Sequence, residues 1–179
     1  MTRDDKSLRT PRLRLIPVEA SNASTLWELM QNQELRTYQD LPDLERLHFT
    51  ALVTSGRGSF RANKPGRFEW LIEHQNRTVI GWVSLRVGDR SAQSGEIGYS
   101  LLAEYRGHGF ATEAVKALVE EAFSRGKLRK LRAYCLPENR ASRALLRRVG
   151  FHEDGILKRG ASLRGRAVDV VSYVLEAHG

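Results

Sequence analysis

The chain has 179 residues, 41% hydrophobic and 28% charged, a composition typical of one globular domain with a full core. It has no run of about 18 apolar residues, so no transmembrane helix is expected, and its polar start does not resemble a secretory signal. The single cysteine, Cys135, argues against a disulfide framework and predicts a reducing, cytoplasmic setting. The net charge of +8 fits a polyanionic partner, such as a nucleotide or RNA, or simply a solvated basic surface.

The first half of the chain predicts a strand, two helices and a β-meander. Residues 12–18 alternate polar and apolar side chains, which is the pattern of a half-buried strand. Helices are expected over residues 23–31 and 43–54, each preceded by residues that favour a helix start. Three further strands are expected, the first two joined by a tight turn, at residues 68–74, 78–87 and 96–102.

The second half predicts a strand between two helices, followed by a closing hairpin. Apolar side chains recur at helical spacing over residues 111–123, which indicates an amphipathic helix. A strand is expected over residues 128–136, and a second helix opens near Asn139 and ends at Gly150 in a left-handed cap. The hairpin is expected as a strand, a loop and a strand, at residues 151–157, 158–166 and 167–175. Residues 1–179 therefore predict one α+β domain, with residues 1–8 as a flexible tail.

The most informative segment joins the strand at residues 96–102 to the helix that follows it. Gly107 and Gly109 stand directly before the first helical turn, whose N–H groups have no partner inside the helix. Glycine lets the backbone approach a phosphate closely, and the helix dipole favours negative charge at this end. The segment therefore predicts a pyrophosphate site.

Two common phosphate loops fit this segment poorly. A Walker loop ends in Gly-Lys-Ser or Gly-Lys-Thr, whereas Gly109 is followed by Phe-Ala-Thr. A dinucleotide-binding loop needs a third glycine, and Thr112 stands at that position. The rest of the chain also does not continue as alternating strands and helices.

A third kind of loop fits. The segment Arg106 to Ala111 resembles the acetyl-coenzyme A loop of the GNAT superfamily of N-acetyltransferases, with matches at Arg106, Gly109 and Ala111. A second segment, residues 139–151, resembles the Asn-x-x-Ser helix of the same superfamily, which ends in Gly-Phe. Each motif alone is short, but the two occur in the expected order and structural context.

The resemblance covers the chain from Arg9 onward and looks closest to the Rim-type branch, which acetylates ribosomal-protein N-termini. It implies a mixed, mostly antiparallel central sheet, flanked by helices and splayed between its fourth and fifth strands. It also implies acetyl-CoA as cosubstrate, with the pantetheine arm between the splayed strands. The implied cofactor-binding residues are Leu101, Leu102, Arg106, Gly107, His108, Gly109, Phe110, Ala111, Thr112, Asn139 and Ser142.

Several of these residues have a second interpretation. Asn139 fits a helix N-cap as well as a cofactor contact, and the two roles are compatible. The candidates for the adenosine 3′-phosphate are equally consistent with a solvated helix face: Lys116, Arg140, Arg143 and Arg147. The histidines show no ligand spacing, so no metal is expected.

Glu96 and Ser142 are the predicted catalytic residues. Acetyl transfer to an amine needs a proton acceptor for the amine and a proton donor for the departing thiolate. Glu96 lies on the strand before the loop and is the candidate acceptor, acting through a water; an ordinary strand carboxylate is the alternative. Ser142, one turn beyond Asn139, is the candidate donor, or else a small residue that allows close packing; Tyr99 and Tyr134 are the next candidates for the donor. Cys135 is expected to be a small buried hydrophobic residue rather than a nucleophile.

The predicted function is direct transfer of acetyl from acetyl-CoA to a primary amine, either a protein N-terminus or a small-molecule amine. Trp27, Trp70 and Trp82, with the loop at residues 56–66, are candidates for lining the acceptor side, or else for core packing. The resemblance also suggests a homodimer and a contact with the ribosome. No membrane partner is expected. The alternative is a catalytically inactive RNA- or ribosome-binding module, suggested by the arginine-rich segments.

Overall fold

An eight-stranded sheet organises the computed structural model, which describes residues 7–41, 45–54, 60, 65–88 and 93–177. Its strands are β1 (Leu8–Arg9), β2 (Leu13–Pro17), β3 (Gly66–His74), β4 (Val79–Val87), β5 (Ser94–Leu101), β6 (Lys130–Cys135), β7 (His152–Leu163) and β8 (Arg166–Glu176). The helices of the described residues are α1 (Ala23–Met30), α2 (Arg46–Thr54), α3 (Phe110–Ser124) and α4 (Arg140–Val149). The α+β class that the sequence predicts is therefore confirmed.

The strand order across the sheet is β1-β2-β3-β4-β5-β6-β8-β7, and only β5 and β6 are parallel neighbours. These two strands pair over three residues, from Ser94 opposite Lys130 to Glu96 opposite Arg132, and then separate. We call the space between their carboxyl ends the gap. The predicted splay is confirmed; it falls between the fifth and sixth strands because the short strand β1 adds one to the count.

The two faces of the sheet carry separate hydrophobic cores. Helices α3 and α4 pack on one face and form the main core, which includes Trp70. Helices α1 and α2 pack on the other face, against Leu71 and Trp82. Because successive side chains of a strand point to opposite faces, the adjacent residues Trp70 and Leu71 belong to different cores. Trp70 therefore packs in the main core, which is one of the two roles that the sequence left open for it.

The local sequence signals correctly predict where α3 begins and where α4 ends. Helix α3 begins at Phe110 after a left-handed N-cap, Gly109, and α4 ends at Gly150, whose φ of 112° is the predicted left-handed cap. Helix α2 is described from Arg46; the predicted start at residue 43 lies outside the described residues. Of the predicted tail, residues 1–6 lie outside the described residues, and Leu8 begins β1.

The closing hairpin is longer than the sequence predicts. The expected loop at residues 158–166 is wrong: β7 and β8 continue through it and leave only a turn at Arg164 and Gly165, where φ is 52° and 72°. Strand β7 is the last strand of the sheet and is exposed over almost its whole length. An edge strand without a buried face shows no alternation of apolar and polar residues, which is the reason that the prediction stopped early.

Candidate active site

The glycine loop and the start of α3 present a row of backbone N–H groups. Gly107 and Gly109 have φ values of 79° and 80°, in the left-handed region that favours glycine. Within the described part of the chain, no group accepts a hydrogen bond from the N–H groups of residues 107–112. A Cβ on Gly107 would meet nothing within 4 Å, so the loop is open on that side. This conformation suits the binding of an anion by backbone amides.

The last residues of β5 connect this loop to the gap. Arg106 donates from Nε to the carbonyl of Leu101 over 3.0 Å, so its side chain folds back on the strand end. Leu102 donates its N–H to the carbonyl of Ile80 and accepts from the N–H of Tyr105, so both of its backbone groups are already paired. Because backbone groups alternate in direction along a strand, Tyr99 and Leu101 turn theirs away from β4 and towards the gap.

Three polar side chains lie close together between the gap and α4. The hydroxyl groups of Tyr99 and Ser142 lie 2.6 Å apart, and Ser142 is near enough to the thiol of Cys135 to act on its pKa. Burial raises the pKa of Tyr99 well above its usual value, and burial also raises the pKa of Cys135. Both groups therefore stay protonated near neutral pH. Of the two tyrosines considered as donors, Tyr99 contacts Ser142, whereas Tyr134 is 36% exposed on β6.

Asn139 is the N-cap of α4. Its side-chain oxygen accepts a hydrogen bond of 3.1 Å from the N–H of Ser142, which is the capping contact considered from the sequence. This bond fixes the first turn of the helix and with it the position of Ser142. The amide NH₂ of Asn139 remains as a donor for a second role.

A pocket of about 440 Å³ opens on the face of the sheet opposite to α3 and α4. We call it the Glu96 pocket; its lining includes Asp40, Trp82, Ser84, Arg86, Glu96 and Gly98. Glu96 is 36% exposed and forms an ion pair with Arg86 on the neighbouring strand. A Cβ on residue 98 would lie 2.8 Å from the Ser84 hydroxyl oxygen, so the glycine at this position keeps the pocket floor open.

Two features of this pocket are missing from the predictions. Arg67 lines it and forms an ion pair of 2.8 Å with Glu69, which is only 3% exposed. Asp40 holds the tip of the closing hairpin, because its carboxylate accepts from the N–H of Arg164 over 2.8 Å and from the Ser162 hydroxyl over 3.3 Å. The glutamate within the apolar sequence of β3 could have been noticed from the sequence alone. The Asp40 contact could not, because it joins residues more than 120 positions apart.

The tryptophans considered for the acceptor side have different positions. Trp82 lines the Glu96 pocket, and Trp27 packs against the second core. Most of the loop at residues 56–66 lies outside the described residues.

The candidates for the adenosine 3′-phosphate divide into two groups. Arg143 donates to the Tyr173 hydroxyl, to the Pro137 carbonyl and to Glu153, and Arg147 also donates to Glu153. These contacts tie α4 to the closing hairpin. Lys116 and Arg140 are exposed on α3 and α4.

The described residues contain neither a candidate metal site nor a helix able to cross a membrane. No group of three or more His, Cys, Asp and Glu side chains there is arranged to hold a metal ion. No helix among them is both long and apolar enough to cross a membrane.

Comparisons with known proteins agree with this geometry. The model of the acetyltransferase (GNAT) domain family matches residues 12–152. An uncharacterized N-acetyltransferase of Bacillus licheniformis, p20, is 28% identical over 171 residues, covering 95% of this chain and 96% of the relative. The ribosomal-protein-serine acetyltransferase of Escherichia coli is 26% identical over 117 residues, 65% of each chain. The structure of RimL, a ribosomal L7/L12 alpha-N-protein acetyltransferase in complex with coenzyme A, superimposes with a TM-score of 0.83 at 23% identity, covering 96% and 98% of the chains.

Proposed function

Because this chain belongs to the GNAT acetyltransferase family and is an N-acetyltransferase that uses acetyl-CoA, we propose that it acetylates the N-terminal α-amino group of a protein. The observation that carries the proposal is that three features lie along β5. The loop of N–H groups and the gap lie beside this strand, and the Glu96 pocket opens on its other face. Acetyl-CoA and the amine can thus approach the same point from two sides, as direct transfer of the acetyl group requires.

On the donor side, the N–H groups of residues 107–112 bind the diphosphate of acetyl-CoA. The pantetheine arm lies in the gap and pairs with the backbone groups of Tyr99 and Leu101, in the way that a peptide adds to a strand edge. The amide NH₂ of Asn139 donates to the arm from the other side. The cosubstrate supplies an acetyl group activated as a thioester.

Glu96 accepts the proton that the amine loses, through a water in the pocket. An α-amino group has a pKa of about 8, so about a tenth of it is neutral at pH 7, whereas a lysine amine with a pKa of about 10.4 is almost fully charged. A single carboxylate at the pocket wall is therefore sufficient to take the proton from an α-amine. A protein terminus as acceptor is also supported by the two ribosomal-protein acetyltransferases that the chain resembles.

Ser142 gives a proton to the sulfur that departs. Either hydroxyl can donate in the bond between Tyr99 and Ser142, and when Tyr99 donates, the serine proton is free to point towards the gap. Burial raises the pKa of Tyr99, so the phenol keeps the proton that this arrangement needs. Ser142 can recover a proton from Tyr99 or from solvent after the thiol leaves.

A thiol-release assay tests the proposal. The acceptors are a peptide with a free N-terminus, the same peptide with a blocked N-terminus and one lysine, and a linear polyamine. We expect release of coenzyme A with the first acceptor and little with the other two. Fast release with the polyamine alone would assign the enzyme to small amines. If no amine is acetylated and RNA binds with a steep salt dependence, the binding-module alternative is correct.

A further inference from the structure

The segment between β1 and β2 is bonded to the first turns of α3, about 100 residues later in the chain. One carboxylate oxygen of Glu113 accepts from the Thr10 hydroxyl over 2.5 Å and from the N–H of Arg12 over 2.9 Å. The other oxygen accepts from Nε of Arg12 over 2.7 Å. The Glu113 side chain is only 16% exposed, so this is a partly buried ion pair rather than a surface contact. We call the three residues the Arg12 clasp.

The guanidinium of Arg12 continues from Glu113 onto the glycine loop itself. Its Nη1 donates to the carbonyl of His108 over 3.0 Å, and its central carbon lies 4.6 Å from the centre of the Phe110 ring. A Cβ on Gly109 would lie 3.4 Å from its Nη2. One side chain therefore touches three consecutive residues at the junction of the loop and α3, which a planar fork of five donors makes feasible.

The bond to His108 has a consequence for the next amide. In a trans peptide the C=O of residue 108 and the N–H of residue 109 point in opposite directions in one plane. Because Arg12 holds the carbonyl of His108, the N–H of Gly109 is turned away from Arg12. Glycine at position 109 would otherwise let this peptide plane rotate at little cost.

Arg12 also neutralises a charge that would oppose cofactor binding. Glu113 lies in the first turns of α3, near the N–H groups that we propose bind the diphosphate, and like charges there repel. Burial raises the pKa of Glu113, but its hydrogen bonds to Thr10 and Arg12 outweigh burial and lower it overall. The carboxylate is therefore ionised near neutral pH, and its charge is balanced by the arginine.

We infer that Arg12, held by Glu113 and Thr10, is a positioning residue that orients the Gly109 amide towards the diphosphate of acetyl-CoA. The inference rests on the proposed function, since it assumes that the loop binds this group. Arg12 acts through the loop and takes no part in acetyl transfer.

Arg14, two residues further along the chain on β2, provides a matched control. It also pairs with a glutamate, because its Nε and Nη2 both contact one carboxylate oxygen of Glu73, over 3.1 and 3.0 Å. Glu73 lies on β3, and among the described residues its ion pairs are with Arg14 and Arg77 rather than with the glycine loop. Arg12→Met and Arg14→Met therefore remove the same charge and the same kind of ion pair, and only the first removes the contact to His108.

Binding of coenzyme A, measured by calorimetry, is the first readout. We expect Arg12→Met to weaken binding about tenfold, the loss that about 1.4 kcal/mol produces, and Arg14→Met to change it less than twofold. Glu113→Gln releases Arg12 but also removes a negative charge near the diphosphate, so it should weaken binding less than Arg12→Met does; it provides a second variant if Arg12→Met does not fold. The KM for acetyl-CoA should rise in Arg12→Met, with a smaller change in kcat. Equal affinities in wild type and Arg12→Met contradict the inference.

The second readout needs no ligand. In the protein alone, the ¹⁵N NMR order parameter of the Gly109 amide should fall in Arg12→Met and stay unchanged in Arg14→Met. If the wild type does not bind coenzyme A, the proposed function fails, and the order parameter still reports whether the clasp holds the loop. If the wild type binds and the order parameter of Gly109 is the same in both variants, the inference fails alone.

Discussion

Ser142 owes its environment to residues from three different elements. Asn139 caps the helix turn that carries it, Tyr99 reaches it from β5, and Cys135 contacts it from the end of β6. A serine hydroxyl is a weak acid by itself, so its use as a donor depends on the hydrogen bonds around it. The buried phenol of Tyr99 supplies one that does not titrate near neutral pH.

Replacement of Ser142 by alanine should slow the chemical step. Because general acid catalysis contributes roughly 10²-fold or more, we expect kcat to fall about 100-fold while the KM for acetyl-CoA changes less than threefold. Tyr99→Phe should cost less, about tenfold, because it removes only the group that orients the serine. Steady-state kinetics measures both variants. A wild-type kcat in Ser142→Ala removes this residue from the mechanism.

Replacement of Glu96 by glutamine should cost most at low pH. Below a pH of about 8 the α-amine is mainly protonated and needs a proton acceptor, whereas above it the neutral amine is already abundant. The ratio of wild-type to Glu96→Gln rates, measured from pH 6 to pH 9.5, should therefore decrease as the pH rises. Arg86→Gln, which leaves the carboxylate in place, is the control. A ratio that does not vary with pH would assign Glu96 a structural role.

At the scale of elements, the site depends on the junction of β5, the glycine loop and α3. Helix α3 is held by the main core, because a continuous row of its side chains is buried against the sheet. The loop before it is short and has two left-handed glycines, so its shape is determined by the elements on either side. A change in the loop can thus remove binding without disturbing the core.

Gly109→Glu should abolish the binding of coenzyme A and leave the fold intact. The new side chain would put a negative charge beside the diphosphate site, at a φ of 80° that also disfavours any side chain. Gly165→Glu is the matched control, since Gly165 also has a positive φ, 72°, and lies at the tip of the closing hairpin. Calorimetry and circular dichroism measure binding and fold. Unchanged affinity in Gly109→Glu would mean that the loop does not hold the diphosphate.

At the scale of the whole molecule, the excess of positive charge makes the ionised carboxylates important for stability. In the described residues, four of them have pKa values below their usual range, because hydrogen bonds and ion pairs with arginine or lysine favour the charged form: Glu113, Glu153, Asp169 and Glu176. For Glu113 and Glu153 this effect outweighs burial, which raises the pKa. Their ion pairs join α3 to the segment before β2, α4 to β7, β7 to β8, and β6 to β8.

Because these ion pairs need ionised carboxylates, we expect the fold to lose stability in acid. A carboxyl group whose pKa is lower in the folded state stabilises the fold above its unfolded pKa, and this contribution disappears as the pH falls through the folded value. We expect the Tm to be level from pH 7 to about pH 5 and to decrease below about pH 4.5. Glu113→Gln should have a lower Tm at pH 7 and a smaller decrease in acid. A Tm at pH 3 equal to that at pH 7 would contradict this expectation.

The sequence by itself determined the features that a short stretch of chain can record. The glycines before α3, the left-handed end of α4 and the period of each buried strand follow from local backbone preferences and from the burial of alternate side chains. Together with the resemblance of residues 106–111 and 139–151 to known motifs, they were sufficient for the fold class, the cosubstrate and the splayed sheet.

Only the tertiary structure decided which side chains meet. The bond between Tyr99 and Ser142, the Asp40 contact to the closing hairpin and the Arg12 clasp each join residues that are more than 40 positions apart. Such contacts depend on how the helices pack on the sheet, and no local pattern encodes that packing. The full length of the exposed strand β7 was missed for a related reason, because that length is set by pairing with β8 and not by burial of its own side chains.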